Sequence, residues 1–348
     1  MIRKIVPFIC LAAICSCSTS DQLVTRHADG SIELFDGRVI PAMPELLGIR
    51  EQYDLRMRWL EQKHRDLLPM MRRHGIDMWI VTNEEFHFDP VTEYVAPKRY
   101  YTDNFLVHVF IDDGGDELAR YTSYRRQNAD HKRFFEVLPP VPDVSGGGDM
   151  AARLSALYQR YRPETIGLNM DGRRGHTRGI THYAYEYLSS ALGPEATRRF
   201  VPATELIVEY FDARLPEELE YYRDQVLATD ILAQRALSNE VITPGVTRAV
   251  DVKTWFNQEV ASLGVGAEPW FEMTIATQRF DPEAGRALPY AHPSPDSSVI
   301  QRGDVIRIDC GFDYLGLATD WQKVAYILPE GEDDVPEGFK VALRNANV

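Results

Sequence analysis

Gly303-Asp304-Val305-Ile306-Arg307-Ile308-Asp309-Cys310-Gly311-Phe312-Asp313-Tyr314-Leu315-Gly316-Leu317-Ala318-Thr319-Asp320 reads as two strands that meet at a turn around Asp313 to Gly316. With the turn centred between Tyr314 and Leu315, Asp309 stands directly opposite Asp320. Directly opposed residues of an antiparallel pair hold their Cβ atoms about 4.5–5.5 Å apart, and like charges there are destabilising. Asp is also depleted inside strands. A cation between the two carboxylates turns that penalty into affinity, and two metal ions about 3.5–4 Å apart suit such a pair. The alternative is a solvated hairpin with incidental acids. Alternation sends Cys310 to the opposite face, where it reads as a buried core thiol.

Upstream, Pro289-Tyr290-Ala291-His292-Pro293-Ser294-Pro295 is a loop leading into the first of these strands. A neutral imidazole in such a loop can donate a hydrogen bond to a developing oxyanion, although an isolated loop histidine is more often a surface residue. Pro216-Glu217-Glu218 opens a long helix through Asn239, with Pro in the first turn and acids near the positive helix end. Thr243-Pro244-Gly245 breaks it, and Thr247 caps a further helix to about Leu263. Strands follow at Trp270–Ala276, Asp304–Cys310 and Leu317–Leu328, then a helix from Pro336 to Asn345.

Towards the amino terminus, residues 46–73 carry helical spacing, with Pro69 expected to kink or restart the helix. Ile76–Val81, Leu106–Ile111, Leu118–Ser123 and Thr165–Asn169 read as strands. Asp112-Asp113-Gly114-Gly115-Asp116 reads as a hairpin turn. Helices are expected over Met150–Tyr161 and Thr181–Leu192. This alternation predicts an α/β domain over 46–205, after an irregular lead-in at 21–45 and before a second domain at 206–348.

Asp309, Asp320 eleven residues later and His292 seventeen residues before Asp309 together resemble the pita-bread metallopeptidases: methionine aminopeptidase, aminopeptidase P and prolidase. Leu215-Pro216-Glu217-Glu218-Leu219-Glu220 and Ile242-Thr243-Pro244-Gly245-Val246-Thr247 resemble the helix pair that opens the catalytic domain of aminopeptidase P-like chains. Arg73-His74-Gly75-Ile76-Asp77-Met78-Trp79-Ile80-Val81 resembles the start of their creatinase-type N-terminal domain. The resemblance covers most of 46–348. It implies an α/β (α+β) chain, a creatinase-type domain followed by a pita-bread metallopeptidase domain. It also implies Asp309 and Asp320 as ligands of two divalent ions, manganese first with cobalt or zinc as alternatives. A bridging water acidified by those ions would attack the scissile carbonyl, and His292 would bind substrate and steady the tetrahedral intermediate. The implied activity is Xaa-Pro aminopeptidase or dipeptidase cleavage of peptides, often by a homodimer.

The same resemblance implies three further ligands, one His and two Glu, downstream of the hairpin. No histidine follows His292, and Glu330, Glu332, Asp333, Asp334 and Glu337 fall in a loop and a helix start. With two of five ligands the pita-bread domain reads as C-terminally truncated, and little or no peptidase activity is expected of the chain as given. Trp321-Gln322-Lys323 stands where the family often has Thr-Arg after the second Asp. Two other readings stay open: a catalytically dead pita-bread module that binds peptides or proteins, and a metal-independent creatinase-like hydrolase.

The amino terminus carries a separate signal. Arg3 and Lys4, then the short apolar run Ile5–Ile14, read as an export signal too short to span a bilayer. Ile14-Cys15-Ser16-Cys17 resembles a bacterial lipobox with Cys17 as the lipidated residue, the alternative being ordinary secretion with cleavage nearby. The expected location is the bacterial cell envelope or periplasm, tethered by that lipid. Removal of residues 1–16, which hold Arg3 and Lys4 and no acid, takes the net charge from −14 to −16. Such an acidic chain does not suit nucleic acid. Its 348 residues, 44% hydrophobic and 26% charged, fit two globular domains and exclude a disordered or coiled-coil chain. Four cysteines, three within the first 17 residues, exclude a disulfide scaffold.

Other motifs carry blander readings. Gly146-Gly147-Gly148 lacks the Gly-Lys-Ser/Thr of a phosphate loop and reads as a flexible connector. Arg173, Arg174 and Arg178 read as a solvated basic patch, His176 and His182 as packing or surface residues. Trp79, Trp255 and Trp270 read as core. Glu84, Glu85, His87 and Asp89 lie where relatives bring the N-terminal domain near the catalytic cleft or a partner subunit.

Overall fold

The computed structural model describes residues 24–34, 37–98, 104–267, 269, 271–281, 283 and 286–346. The export segment, Cys17 and Trp270 lie outside them. In chain order the first elements are β1 (Val24–Arg26), β2 (Ile32–Leu34), β3 (Val39–Ile40), α1 (Ile49–Arg73), β4 (Met78–Glu84), α2 (Thr92–Val95), β5 (Phe105–Ile111) and β6 (Ala119–Thr122). Next come α3 (Ala129–Phe134), β7 (Glu136–Val137), α4 (Met150–Tyr161), β8 (Ile166–Leu168), α5 (His182–Thr197), β9 (Phe200–Pro202), α6 (Thr204–Asp212) and α7 (Pro216–Ala236). The rest are α8 (Ala249–Ser262), β10 (Thr274–Gln278), β11 (Phe280–Asp281), β12 (Arg286–Ala287), β13 (Val305–Cys310), β14 (Asp313–Tyr314), β15 (Leu317–Ala318), β16 (Trp321–Tyr326) and α9 (Glu337–Ala346).

Two compact units divide the chain: residues 47–222, and the stretches on either side of them. The first is an α/β layer built on one mixed sheet in the order β7-β6-β5-β4-β8-β9. Six of the seven residues of β4 are buried, so both faces of this central strand are covered. Trp79 and Val81 join one core with Leu67, Met71, Phe110 and Ile207, while Met78 and Ile80 join another with Leu157, Leu168 and Leu188. The β5–β6 hairpin is antiparallel, as the Asp112–Asp116 turn predicts.

Pro69 does not interrupt α1, which runs through it with helical geometry. Proline there forfeits one N–H, but Leu67, Leu68, Met70 and Met71 around it are buried, and that burial keeps the turn. Helix α5 loses helical geometry at Gly193, φ 85°, one residue after the expected end. Helix α6, which periodicity did not single out, sends Leu206, Ile207 and Tyr210 into the first unit's core. The boundary of that unit therefore falls beyond 205.

The second unit holds the antiparallel sheet β10-β13-β16 with α7 and α8. The stretch expected as an irregular lead-in forms the antiparallel sheet β1-β2-β3. Its inward residues Ile32, Leu34 and Ile40 pack on Ile231 of α7. Helix α8 starts one residue later than Thr247 would set it. Arg248 and Asp251 form the cap, and the Thr247 hydroxyl instead accepts from Thr243 N and donates to Val241 O.

Candidate functional site

Strand β13 alternates strictly: Ile306, Ile308 and Cys310 are buried, Val305, Arg307 and Asp309 only partly so. The apolar face packs on α7, where Asp230 Oδ1 accepts from Trp321 Nε1 at 3.0 Å and pairs with Lys323 at 2.8 Å. Cys310 is fully buried there, and burial pushes its thiol up to about 12. It is a core thiol. The opposite face carries the candidate chemistry.

Asp309 does not stand opposite Asp320. It pairs with Thr274 of β10 and Gln322 of β16. The ladder pairs Tyr314 with Leu317, so Leu315 and Gly316 form the turn, with φ 59° and 76°. Positive φ at both centres gives the hairpin the twist its strands need. The turn centre thus lies one residue beyond the expected one, which moves the pairing by two. Because the side-chain period is two, Asp320 keeps the face of Asp309 and becomes its diagonal neighbour.

The turn is locked to α7 by buried polar groups. Gln225 Nε2 donates to Phe312 O at 2.7 Å and to Leu317 O at 2.9 Å. Thr229 and Thr319 hydroxyls meet at 2.9 Å.

Asp309 Oδ2 accepts from Gln322 Nε2 at 3.0 Å and lies 3.6 Å from Arg307 Nη2. Asp309 Oδ1 is enclosed with no hydrogen-bond partner among the described residues. Burial, then the Asp320 carboxylate, raises the Asp309 carboxyl above its ordinary range, against the smaller pull of Arg307. His292 is exposed and joins the same face: its Nε2 accepts from Arg307 Nη1 at 3.1 Å, and Arg307 Nη2 also donates to Gln322 Oε1 at 2.6 Å. The His292 loop is pinned to β10 by Ser294 N donating to Ile275 O at 2.7 Å and by Ala291 bridging to Thr277.

Arg307 and Gln322 thus tie His292 to Asp309, and Asp320 stands beside Asp309 on the same face. Sequence reading passed over Arg307 and took Gln322 only as a departure from the family pattern, because it followed the acids. The signal was the alternation itself, since Arg307 precedes Asp309 by two and Gln322 follows Asp320 by two.

The orphaned Oδ1 beside a second carboxylate suits one loosely held cation. No group of three or more His, Cys, Asp or Glu able to hold a metal exists among the described residues. Two carboxylates cannot fix two ions in a defined geometry, so the residues present do not fit a dinuclear centre.

In the first unit, Asp89 is buried. It accepts from Val91 N at 2.9 Å and Asn169 Nδ2 at 2.7 Å, and desolvation raises its carboxyl to about 6. Glu84 accepts from the Thr181 hydroxyl. Trp79 is fully buried as core, whereas Trp255 is half-buried, its ring 4.9 Å from the Arg235 guanidinium.

At the level of sequence, no family model and no curated protein matches this chain. Solved structures do. An X-Pro aminopeptidase from Thermotoga maritima superposes with TM-score 0.54 at 20% identity, covering 79% of this chain and 69% of that one. An Xaa-Pro dipeptidase from Bacillus anthracis gives 0.55 at 17% identity over 81% and 68%. A prolidase from Pyrococcus horikoshii gives 0.51 at 16% identity over 77% and 65%. The chain therefore has the mixed α/β pita-bread fold of these structures.

Proposed function

We propose that the chain carries part of the site of a peptidase of the Xaa-Pro class, in which Asp309 and Asp320 contribute to a divalent-cation site and His292 contacts the peptide. The observation that carries this reading is the enclosed Asp309 Oδ1, which has no donor among the described residues and meets the Asp320 carboxylate. An arrangement that leaves a carboxylate oxygen unsatisfied next to a like charge is costly unless a ligand meets it. Manganese suits an oxygen-rich donor set. With two carboxylates and no third ligand beside them among the described residues, the chain is proposed to hold one ion weakly and to lack hydrolytic activity by itself.

A second reading, a peptide-binding module without catalysis, is favoured by the engagement of Asp309 by Gln322 and Arg307. Retention of both Asp309 and Asp320 speaks against a metal-independent creatinase-like hydrolase. Titration calorimetry with Mn²⁺, beside an assay on Xaa-Pro peptides, separates the readings. Weak binding of one ion, lost in Asp309→Asn, with no hydrolysis supports the first. No ion binding together with saturable peptide binding establishes the second, and chelator-resistant hydrolysis establishes the third.

We also propose that the protein is exported to the cell envelope and anchored through Cys17, and that it pairs as a homodimer. Metabolic labelling with a fatty acid, lost in Cys17→Ser, tests the anchor, and sedimentation of the purified protein tests the dimer.

A further inference from the structure

The first unit has a cavity of about 120 Å³ lined by Ser123, Arg125, Leu138, Gly148, Met150 and Arg153, among others. Arg153 is only 7% exposed. Its guanidinium donates to three carbonyls: Nε to Gly148 O at 3.0 Å, Nη1 to Leu138 O at 2.9 Å and Nη2 to Gly146 O at 3.1 Å. A guanidinium has five N–H groups, so one remains on each Nη. No carboxylate lies within ion-pair distance of Arg153 or Arg125 among the described residues. A buried charge without a counter-charge is unusual, since such groups are normally paired.

The connector Gly146-Gly147-Gly148 is shaped around this charge. All three glycines have positive φ, 67°, 73° and 77°. A Cβ on Gly147 would stand 2.7 Å from Arg153 Nη2 and 2.6 Å from Pro140 Cβ, so only glycine lets the loop close on the guanidinium. Met150 begins the 12-residue helix α4, whose first N–H groups point out of the helix and whose positive end favours an anion. Ser123 Oγ accepts from Val107 N at 2.9 Å, which leaves its proton to donate. One acid also lines the cavity, Asp149, and its Oδ1 is engaged by Ala152 N at 2.8 Å as the helix cap. The lining thus carries two guanidinium charges against one carboxylate.

We propose that this cavity binds a small oxyanion group, a carboxylate or a phosphate, held by the buried Arg153 and the exposed Arg125. The planar, always-charged guanidinium suits both groups. The site is independent of Asp309, Asp320 and His292 and of any reading of their function.

The experiment is an NMR titration of the full chain with inorganic phosphate and, separately, with acetate, against chloride at matched ionic strength. The amides of Gly148, Met150 and Ala152 are the reporters. Saturation is expected at about 1 mM, and Arg125→Gln, an exposed residue whose loss leaves the fold intact, is expected to weaken it about tenfold. Saturation by phosphate alone identifies a phosphoryl group, and saturation by acetate alone a carboxylate. Saturation by neither, or undiminished binding by Arg125→Gln, overturns the proposal. Arg153 is left unaltered in the test because it also ties down three carbonyls.

Discussion

Arg307 Nη1 donates to His292 Nε2 across 3.1 Å. A guanidinium only donates, so the imidazole must present a bare Nε2 and carry its proton on Nδ1. That orientation decides which nitrogen His292 offers to a ligand. Nitrogen-15 NMR of the neutral ring is expected to show the Nδ1–H tautomer, and Arg307→Met is expected to return the ring to a mixture of tautomers. An Nε2–H signature in the unaltered protein would sink this assignment.

The pair Asp309 and Asp320 stores repulsion. In Asp309→Asn, the new amide oxygen still accepts from Gln322 and the new amide nitrogen can donate to Asp320. In the presence of a chelator this substitution is expected to stabilise the protein by about 1 kcal/mol, roughly 2–4 °C in melting temperature. Excess Mn²⁺ is expected to narrow the difference, because only the unaltered protein gains from the ion. Thermal melts followed by circular dichroism check both statements.

Two buried groups of the first unit pull acid stability in opposite directions. His64 lies enclosed by Phe110, Phe134 and Phe135, and desolvation lowers its imidazole to about 3. Below about pH 6.5 the unfolded chain binds a proton that the folded His64 refuses, so stability falls by up to about 1.4 kcal/mol per pH unit. Asp89, raised to about 6, holds a proton in the fold that the unfolded chain releases above about pH 4. Its contribution therefore falls as pH rises from 4 to 6 and offsets His64 in that window. Asp89→Asn is expected to steepen the loss of stability between pH 6 and pH 4, read from urea midpoints at several pH values. An unchanged slope counts against the buried Asp89.

The hairpin depends on one amide. Gln225→Leu removes both side-chain donors to the turn, so that Leu317 O loses its side-chain partner and Phe312 O keeps only Thr319. The expected loss is about 1–3 kcal/mol in urea unfolding. Glu is the sharper control: Gln225→Glu keeps the shape, supplies no second donor and is expected to be at least as damaging.

Strand β13 was legible because its alternation is uninterrupted and ends in Cys310, a residue that packs where it should. The turn was misread by one residue because Leu315 takes a positive φ, a role that sequence reading reserves for Gly, Asn or Asp. Its side chain is 4% exposed, and that burial in the core offsets the backbone cost. The early strands β1–β3 are two or three residues each, too short for periodicity to register. Arg307 and Gln322 were given no part in the site for a different reason. Each is ordinary on a half-exposed strand, and only the register shows that both reach Asp309. Gly146–Gly148 read as a connector because the residue that organises it, Arg153, follows at helical distance inside α4.

The hairpin between Cys310 and Trp321 also sets a rule for descent. Its two carboxylates share a face because the Leu315-Gly316 turn sets the register of the strands on either side. A one-residue slip of the pairing itself would turn Asp320 to the side of Cys310, whereas an extra residue absorbed by the turn or a bulge would leave both acids where they are. Relatives that keep both acids should therefore differ in length at the turn and not within the paired strands.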